Sequence, residues 1–281
     1  MGYVAARVAN ELVGNDPGAA VLECVLQGPR LRWLCAARVA VVGGIVEGVP
    51  MARPYDVAAG EQFDLSKIVR SARCYLAVRG GIAASPVLGG RGTHLQLQCG
   101  GLGGRPLVAG AIIHRGEERR EPSPPSGHWF VEPGWLVPPH PSGGVRILRG
   151  PQADWFSGEA WHRLLTATYR VSVKSDRMGI RLEGEPLRMQ EEREMSSEPV
   201  VTGAIQVPRG GEPIILGADR QTIGGYPVMA CVASVEFDRL AQLRPGDKVR
   251  FVEISHAEAE RLLLEQQRAL AMLTEGLRHH D

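Results

Sequence analysis

The sequence has neither an excess of one charge nor a long hydrophobic run. Its 281 residues contain 32 Lys+Arg and 31 Asp+Glu, which gives a formal net charge of +1. Such a balance produces no field that would attract nucleic acid or an anionic membrane. No apolar stretch is as long as a membrane span, and the N-terminus has no signal-peptide pattern. We therefore expect a cytoplasmic protein that binds neither nucleic acid nor membrane.

The cysteines are few and widely spaced. Their number is odd, and no Cys-x-x-Cys pair is present to hold zinc or to form a redox disulfide. Most lie in apolar runs and are interpreted as small buried hydrophobic residues. A reducing compartment and the absence of a metal site follow as predictions. The five residues are Cys24, Cys35, Cys74, Cys99 and Cys231.

Several catalytic signatures are also missing. The chain has no Gly-x-x-x-x-Gly-Lys-[Ser/Thr] loop, which excludes a P-loop for ATP. It has no Gly-x-Ser-x-Gly elbow and no His-Glu-x-x-His pair. The 8 histidines are scattered apart from the last two. A lone histidine is more often structural than catalytic. We therefore expect that the chain does not catalyse a reaction alone.

Glycine and proline are abundant, and they indicate the fold class. The 35 glycines and 20 prolines favour tight turns between short strands. The predicted class is mainly β with a few helices. A weakly recurring turn-then-strand unit suggests two barrel-like halves followed by a C-terminal helix. Periodicity predicts helices at Val4–Val13, Asp154–Thr168 and Ala257–Arg278. It predicts strands at Ala20–Leu26, Arg38–Val42, Arg73–Val78, Val145–Leu148, Arg170–Val173, Ile180–Leu182, Ile214–Leu216, Val228–Val235 and Lys248–Ile254.

A polar, proline-rich segment divides the sequence. We predict an N-terminal barrel-like half at 1–115, a linker at 116–143 and a C-terminal half at 144–281. Gly48 suggests a tight hairpin in the first half. Ser255 and Glu258 form a capping-box pattern ahead of the terminal helix.

Three segments combine glycines with polar residues more densely than packing requires. The first, 80–93, presents Arg91 on a loop able to hold a carboxylate or phosphate. The second, 175–184, contains Asp176, Arg177 and Arg181, which could form an ion-paired cluster at a strand end. The third, 200–227, places a carboxylate, a cation, an amide and a hydroxyl in succession at 219–222. Such a set can orient an amide and polarise its carbonyl, or it can be an Asp–Arg pair that locks a turn.

Longer motifs in these segments and elsewhere resemble a known family. The chain is similar to the C subunits of 5-oxoprolinase, also called the KipA or allophanate-hydrolase-subunit-2 family, and to the carboxyltransferase-type domain of urea carboxylase. The motifs that carry the resemblance are Leu12-Val-Gly-Asn, Tyr75-Leu-Ala-Val-Arg-Gly-Gly-Ile, Gly150-Pro-Gln-Ala-Asp-Trp-Phe, Ser175-Asp-Arg-Met-Gly-Ile-Arg-Leu-Glu-Gly, Gly203-Ala-Ile-Gln-Val-Pro, Ala218-Asp-Arg-Gln-Thr-Ile-Gly-Gly-Tyr-Pro and Leu240-Ala-Gln-Leu-Arg-Pro-Gly-Asp-Lys-Val-Arg-Phe.

The resemblance implies a cyclophilin-like, β-barrel-rich fold and a role within a larger assembly. The implied reaction is ATP-dependent cleavage of 5-oxo-L-proline to L-glutamate, beside B-type (KipI-like) and A-type oxoprolinase proteins. ATP could be bound by one of these partners. The alternatives are a carboxyltransferase component of a biotin-dependent carboxylase, with biotin carried by another chain, and a non-enzymatic antagonist of a histidine kinase inhibitor.

The sequence departs from the family pattern in its N-terminal half. Met1 stands where family members have completed a first strand, so we expect that strand to be missing from this half. A usual Gly-Ser-Arg-Ser-Thr reads Gly89-Gly-Arg-Gly-Thr, and a usual Ala-Gly-Asp reads Ala109-Gly-Ala.

We place the candidate site mainly in the C-terminal half, with no metal ligand. The candidates for catalytic roles are Asp176, Arg177, Arg181, Asp219 and Arg220. The candidates for binding the small-molecule substrate are Arg91, Gln206, Gln221 and Thr222.

Overall fold

The structure is a computed structural model that describes residues 2–117, 130–131, 143–191 and 193–278. The chain separates into two compact units. The N-terminal unit comprises residues 2–136 together with 269–281, and the barrel unit comprises 137–268. Within the described ranges, no helix is long and apolar enough to cross a membrane.

Short β-strands dominate the described part of the chain, which confirms the mainly β class. The helices are α1 Tyr3–Leu12, α2 Gly158–Thr166, α3 Phe237–Ala241 and α4 His256–Arg278. The strands are β1 Leu22–Val25, β2 Arg30–Arg32, β3 Ala37–Val46, β4 Pro54–Val57, β5 Gln62–Asp64, β6 Ile68–Val78, β7 Val145–Arg149, β8 Tyr169–Val171, β9 Gly179–Glu183, β10 Glu198–Pro199, β11 Ala204–Gln206, β12 Ile214–Leu216, β13 Ile223–Gly224, β14 Val228–Val232, β15 Lys248–Val249 and β16 Phe251–Glu253.

The N-terminal unit is built on an antiparallel sheet with strand order β1–β6–β3–β4, beside a β2–β5 ribbon. Helix α1 contacts β3 and β6. Its residues Val4, Val8 and Leu12 recur every four positions and are buried, so one face of the helix closes the core. The helix is followed by Gly14, whose φ of 75° lies in the left-handed region that ends helices.

The barrel unit contains an eight-stranded sheet with order β15–β8–β9–β12–β11–β14–β7–β16. Strands β15 and β16 lie at opposite ends of this order, yet only Arg250 separates them in sequence. The sheet must therefore curl until its two ends meet, as in a barrel. A core that includes Ile147, Leu182 and Phe251 is buried by this curl. The expected barrel is confirmed here.

The terminal helix begins as its sequence pattern predicts. The Ser255 hydroxyl accepts a hydrogen bond from the Glu258 N–H at 3.1 Å. The end of α4 groups with the N-terminal unit, where Arg7 Nη2 donates to Thr274 Oγ1 at 3.1 Å. This grouping differs from the sequence prediction, which assigns the whole helix to the C-terminal half. Most of the predicted linker at 116–143 lies outside the described residues, so its boundaries stay a prediction, as does the missing first strand.

Candidate functional site

The candidate site lies at one edge of the barrel, where β9 begins and β12 ends. These strands are antiparallel, with Gly179 opposite Leu216. The segments before Gly179 and after Leu216 therefore leave the sheet side by side. Two backbone hydrogen bonds extend the pairing past the strands. The Gly217 N–H donates to the Met178 carbonyl at 2.8 Å, and the Asp219 N–H donates to the Arg177 carbonyl at 3.0 Å.

Arg177 and Asp219 are joined at two points. Arg177 Nε donates to Asp219 Oδ2 at 2.8 Å, and Nη2 donates to Oδ1 at 3.0 Å. The side chains are 36% and 18% exposed, so water screens the pair and its net contribution to stability is about 1 kcal/mol or less. Both carboxylate oxygens are engaged. Asp219 is therefore placed to position Arg177 rather than to act as a free base.

Asp176 closes the turn that leads into β9. Its Oδ1 accepts hydrogen bonds from the Met178 N–H at 2.8 Å and from the Gly179 N–H at 3.0 Å. This is the way in which aspartate side chains commonly stabilise turns. The carboxylate thus shapes the backbone that carries Arg177.

Arg220 and Thr222 lie against the segment that follows β10. Arg220 Nε donates to the Val200 carbonyl at 3.3 Å, and the Val200 N–H donates to the Thr222 carbonyl at 2.9 Å. Arg220 is half-buried. Among the described residues no carboxylate pairs with it, so its terminal N–H groups are available to a ligand.

A pair of glutamine side chains supports the same turn. Gln206 is 1% exposed, and its Nε2 donates to the Tyr226 carbonyl at 3.1 Å. Its Oε1 accepts from Gln221 Nε2 at 3.4 Å. A Cβ on Gly224 would lie 2.7 Å from Gln206 Nε2. A side chain at Gly224 would therefore displace the buried amide. Gln206 holds the turn from the inside, while Gln221 is exposed at its surface.

Among the described residues, the side chains of the two remaining candidates form no hydrogen bond with this network. Arg181 is exposed on β9, and its backbone N–H donates to Ser175 Oγ at 3.0 Å. Arg91 belongs to the N-terminal unit, where its Nη1 donates to the Ala84 carbonyl. The network therefore joins seven of the nine candidates; its members are Asp176, Arg177, Gln206, Asp219, Arg220, Gln221 and Thr222.

Gln152 is a supporting residue that the candidate set does not include. Its Oε1 accepts from the Val228 N–H at 3.0 Å, and its Nε2 donates to Glu198 Oε2 at 3.2 Å. It thereby ties β14 to β10, which immediately precedes Val200. The signal was present in the sequence, because Gln152 falls within the Gly150–Phe156 motif that carries the family resemblance.

The arrangement suits binding of an anionic or strongly polarised oxygen. The cation of Arg177 is compensated by Asp219, whereas Arg220 has no acidic partner in the described ranges. Fixed guanidinium groups bind carboxylate and phosphoryl oxygens well and stabilise a developing oxyanion. Within the part of the chain that the structure describes, no group of three His, Cys, Asp or Glu side chains could hold a metal ion.

Comparison with known proteins identifies the family. The family described as carboxyltransferase domain, subdomain A and B, matches residues 1–253. The chain belongs to this family, within which the sequence motifs indicate the branch formed by the 5-oxoprolinase C subunits.

Three relatives place the chain more closely. It is 32% identical to the 5-oxoprolinase C subunit of Escherichia coli, with 99% of this chain and 89% of that protein aligned. It is 30% identical to the 5-oxoprolinase C subunit of Haemophilus influenzae, over 93% and 84% of the two chains. The crystal structure of Kluyveromyces lactis urea carboxylase is 28% identical with a TM-score of 0.84, over 96% of this chain and only 26% of that one.

Proposed function

We propose that this chain is the C-type component of an ATP-dependent 5-oxoprolinase. In this proposal the assembly opens 5-oxo-L-proline to L-glutamate. The observation that carries the proposal is the near full-length match to the E. coli 5-oxoprolinase C subunit, which covers 99% of this chain and 89% of that protein. The urea carboxylase match covers only 26% of a much longer protein.

The chemistry of a lactam explains what the candidate site would contribute. An unactivated lactam resists water, and transfer of a phosphoryl group from ATP to its carbonyl oxygen would make the ring carbon electrophilic. Negative charge then develops on oxygen atoms, which fixed N–H donors stabilise. In this proposal Arg220 supplies such donors, and Arg177 is held in place by Asp219. Gln221 and Thr222 are exposed on the same turn and would contact the substrate.

The proposal requires partner proteins. Neither acidic site candidate is an obvious free base, since the carboxylates of Asp219 and Asp176 both accept hydrogen bonds. We propose that A-type and B-type (KipI-like) partners complete the site, that one of these partners binds ATP, and that the assembly is cytoplasmic.

A co-expression experiment tests the proposal. The chain is produced with its A-type and B-type partners, and glutamate release from 5-oxoproline is measured with and without ATP. A parallel preparation omits this chain. Release that needs both ATP and this chain supports the proposal. Equal release without the chain overturns it, provided that the partners are folded.

The second candidate function is a carboxyltransferase component of a biotin-dependent carboxylase. The TM-score of 0.84 to urea carboxylase favours it. In this alternative we propose that another chain carries the biotin. Within the given sequence none of the lysines, Lys67, Lys174 and Lys248, is flanked by methionines on both sides. Bicarbonate-dependent carboxylation of urea with a biotin-carrying partner, without glutamate release from oxoproline, would identify this function instead.

A further inference from the structure

A positively charged cavity lies at the seam of the barrel, away from the β9–β12 edge. Its volume is about 400 Å³, and it is lined by Gly143, Thr168, Tyr169, Arg170, Lys248 and Arg250. Arg250 is the residue that links β15 and β16, the two ends of the sheet. At this seam the regular hydrogen-bonded pairing of strands is interrupted. This leaves space that would be filled in a continuous sheet. The volume falls within the range of about 300–1,000 Å³ typical of small-ligand sites.

Three cations face this cavity without an acidic partner. Lys248 and Arg170 are directly paired across β15 and β8, so their side chains project from the same face of the sheet. Within the described ranges, Arg170, Lys248 and Arg250 form no ion pair, and no lining residue is acidic. The three side chains are exposed, so water screens their mutual repulsion, and a bound anion would reduce it further.

Two carboxylates lie near the cluster without forming an ion pair with it. Glu183 is opposite Arg170 across β8 and β9 and projects from the same face of the sheet, so it lowers the local positive charge in part. Asp247 accepts a hydrogen bond from the Arg244 N–H at 2.8 Å. Both acidic residues stand outside the lining of the cavity.

Neutral groups hold the two guanidinium groups in place. Arg250 Nε donates to Thr168 Oγ1 at 2.8 Å, and Arg170 Nη1 donates to the Gly246 carbonyl at 3.3 Å. Each contact engages one of the five N–H donors of an arginine side chain. Both arginines are exposed, and their remaining donors can reach a ligand in the cavity.

We propose that this cavity, which we call the seam site, binds a phosphoryl group. A single carboxylate would compensate only one of three positive charges. A phosphate carries about two negative charges and offers several acceptor oxygens that suit arginine forks. The phosphoryl group can belong to a free inorganic anion or to a nucleotide. This inference is independent of the proposed oxoprolinase role, because it concerns binding to the chain itself.

Titration calorimetry on the full chain tests the seam site. The probes are inorganic phosphate, pyrophosphate, ATP and, as a carboxylate, acetate. We expect saturable binding of at least one phosphoryl probe, weakening as salt rises, with no binding of acetate at the same concentration. Binding of phosphate or pyrophosphate assigns a free anion, and binding of ATP alone assigns a nucleotide. Failure of all three phosphoryl probes overturns the proposal.

Variants localise the binding. Arg170→Gln and Arg250→Gln should each weaken it about tenfold, as expected for loss of a charged hydrogen bond. Arg250→Lys should retain more affinity because it keeps the charge. Arg209→Gln, an exposed arginine of the same unit, is the control and should bind as the unaltered chain does. Circular dichroism verifies folding. Unchanged affinity in the folded Arg170→Gln/Arg250→Gln double variant would also overturn the proposal.

Discussion

Arg177 and Asp219 are 42 residues apart in sequence, yet both oxygens of the carboxylate accept hydrogen bonds from the guanidinium. The pair spans the two segments that leave the barrel at β9 and β12. Two backbone hydrogen bonds beside it keep these segments together. The side chains therefore do not have to create the contact, and their principal effect is to fix the direction of the guanidinium.

A double-mutant cycle should separate this positioning role from stability. Arg177→Gln, Asp219→Asn and the double variant are unfolded in urea beside the unaltered chain. Since the pair is partly exposed, we expect a coupling energy of about 1 kcal/mol or less. In the assembled complex each single variant should lose at least tenfold in turnover, the scale expected when a charged hydrogen bond is lost. Full turnover in both folded single variants would contradict the positioning role.

We expect that no other residue can replace Gly217, which lies where the segment after β12 contacts the segment before β9. A Cβ there would overlap the Arg177 carbonyl, which is backbone and cannot rotate away. Gly217→Ala should therefore cost about 1–3 kcal/mol of unfolding free energy, as overpacking does. Gly210→Ala is the matched control, because nothing lies within 4 Å of its Cβ position. Equal melting temperatures of the two variants would show that the crossing is not tight.

The hydroxyl of Tyr169 is buried without a hydrogen-bond partner in the described part of the chain. Tyr169→Phe should therefore leave stability unchanged or raise it by up to about 1 kcal/mol, because an unsatisfied polar group is removed. Urea unfolding measures the difference. Tyr226→Phe, at an exposed tyrosine, serves as the control. A loss of more than about 1 kcal/mol in Tyr169→Phe would reveal a hydrogen bond that the structure does not contain.

The same tyrosine should make stability depend on alkaline pH. Burial raises the pKa of Tyr169 to about 12. A raised pKa favours folding below the ordinary tyrosine value of about 10, and this contribution is lost as pH rises through that interval. The unaltered chain should therefore lose more stability between these two pH values than Tyr169→Phe does. An equal loss of unfolding free energy in the two proteins over this pH range would contradict the raised pKa of Tyr169.

The cysteines should differ sharply in reactivity. Cys24 and Cys74 face each other across β1 and β6, and both are buried. A hydrogen bond with the Cys74 thiol and burial both raise the pKa of Cys24, which keeps it a thiol. Cys35 is exposed and should be alkylated first in the native protein. Mass spectrometry after brief iodoacetamide treatment measures the order. Alkylation of Cys24 as early as Cys35 would contradict the buried position of Cys24 on β1.

Sequence patterns predicted helices α1 and α4 well, but they covered only part of the longest strands, β3 and β6, and missed the two-residue strands β10 and β13. Val4, Val8 and Leu12 recur at helical spacing, and α1 lies within one residue of the predicted bounds. Strands β10 and β13 have two residues each, which is too few for any periodicity. Gly48 does occupy a turn, and β3 before it pairs antiparallel with β4 after it. This pairing covers only Ala37–Ala40, however, so the hairpin is wide and not tight as predicted.

The candidate site, too, was predicted only in part from the sequence. Clustered polar residues at 175–184 and 219–222 identified both segments, but only the antiparallel register of β9 and β12 shows that Arg177 meets Asp219. Asp219 does form an Asp–Arg pair, but its partner is Arg177 of the other segment, whereas Arg220 beside it donates to the Val200 carbonyl. Its partial exposure, which decides its energetic weight, depends on tertiary packing that spacing does not encode. Roles of the individual site residues stay predictions.

Reconstitution from purified components tests the central proposal most directly. The A-type and B-type partners are held constant, this chain is titrated in, and glutamate and inorganic phosphate are measured from 5-oxoproline and ATP. We expect that both products rise in equal amounts with added chain and saturate. The folded Arg220→Gln variant should bind the partners but release at most about a tenth as much, as expected from loss of a charged hydrogen bond at the site. Product formation that is unaffected by adding this chain to its folded partners would contradict the account.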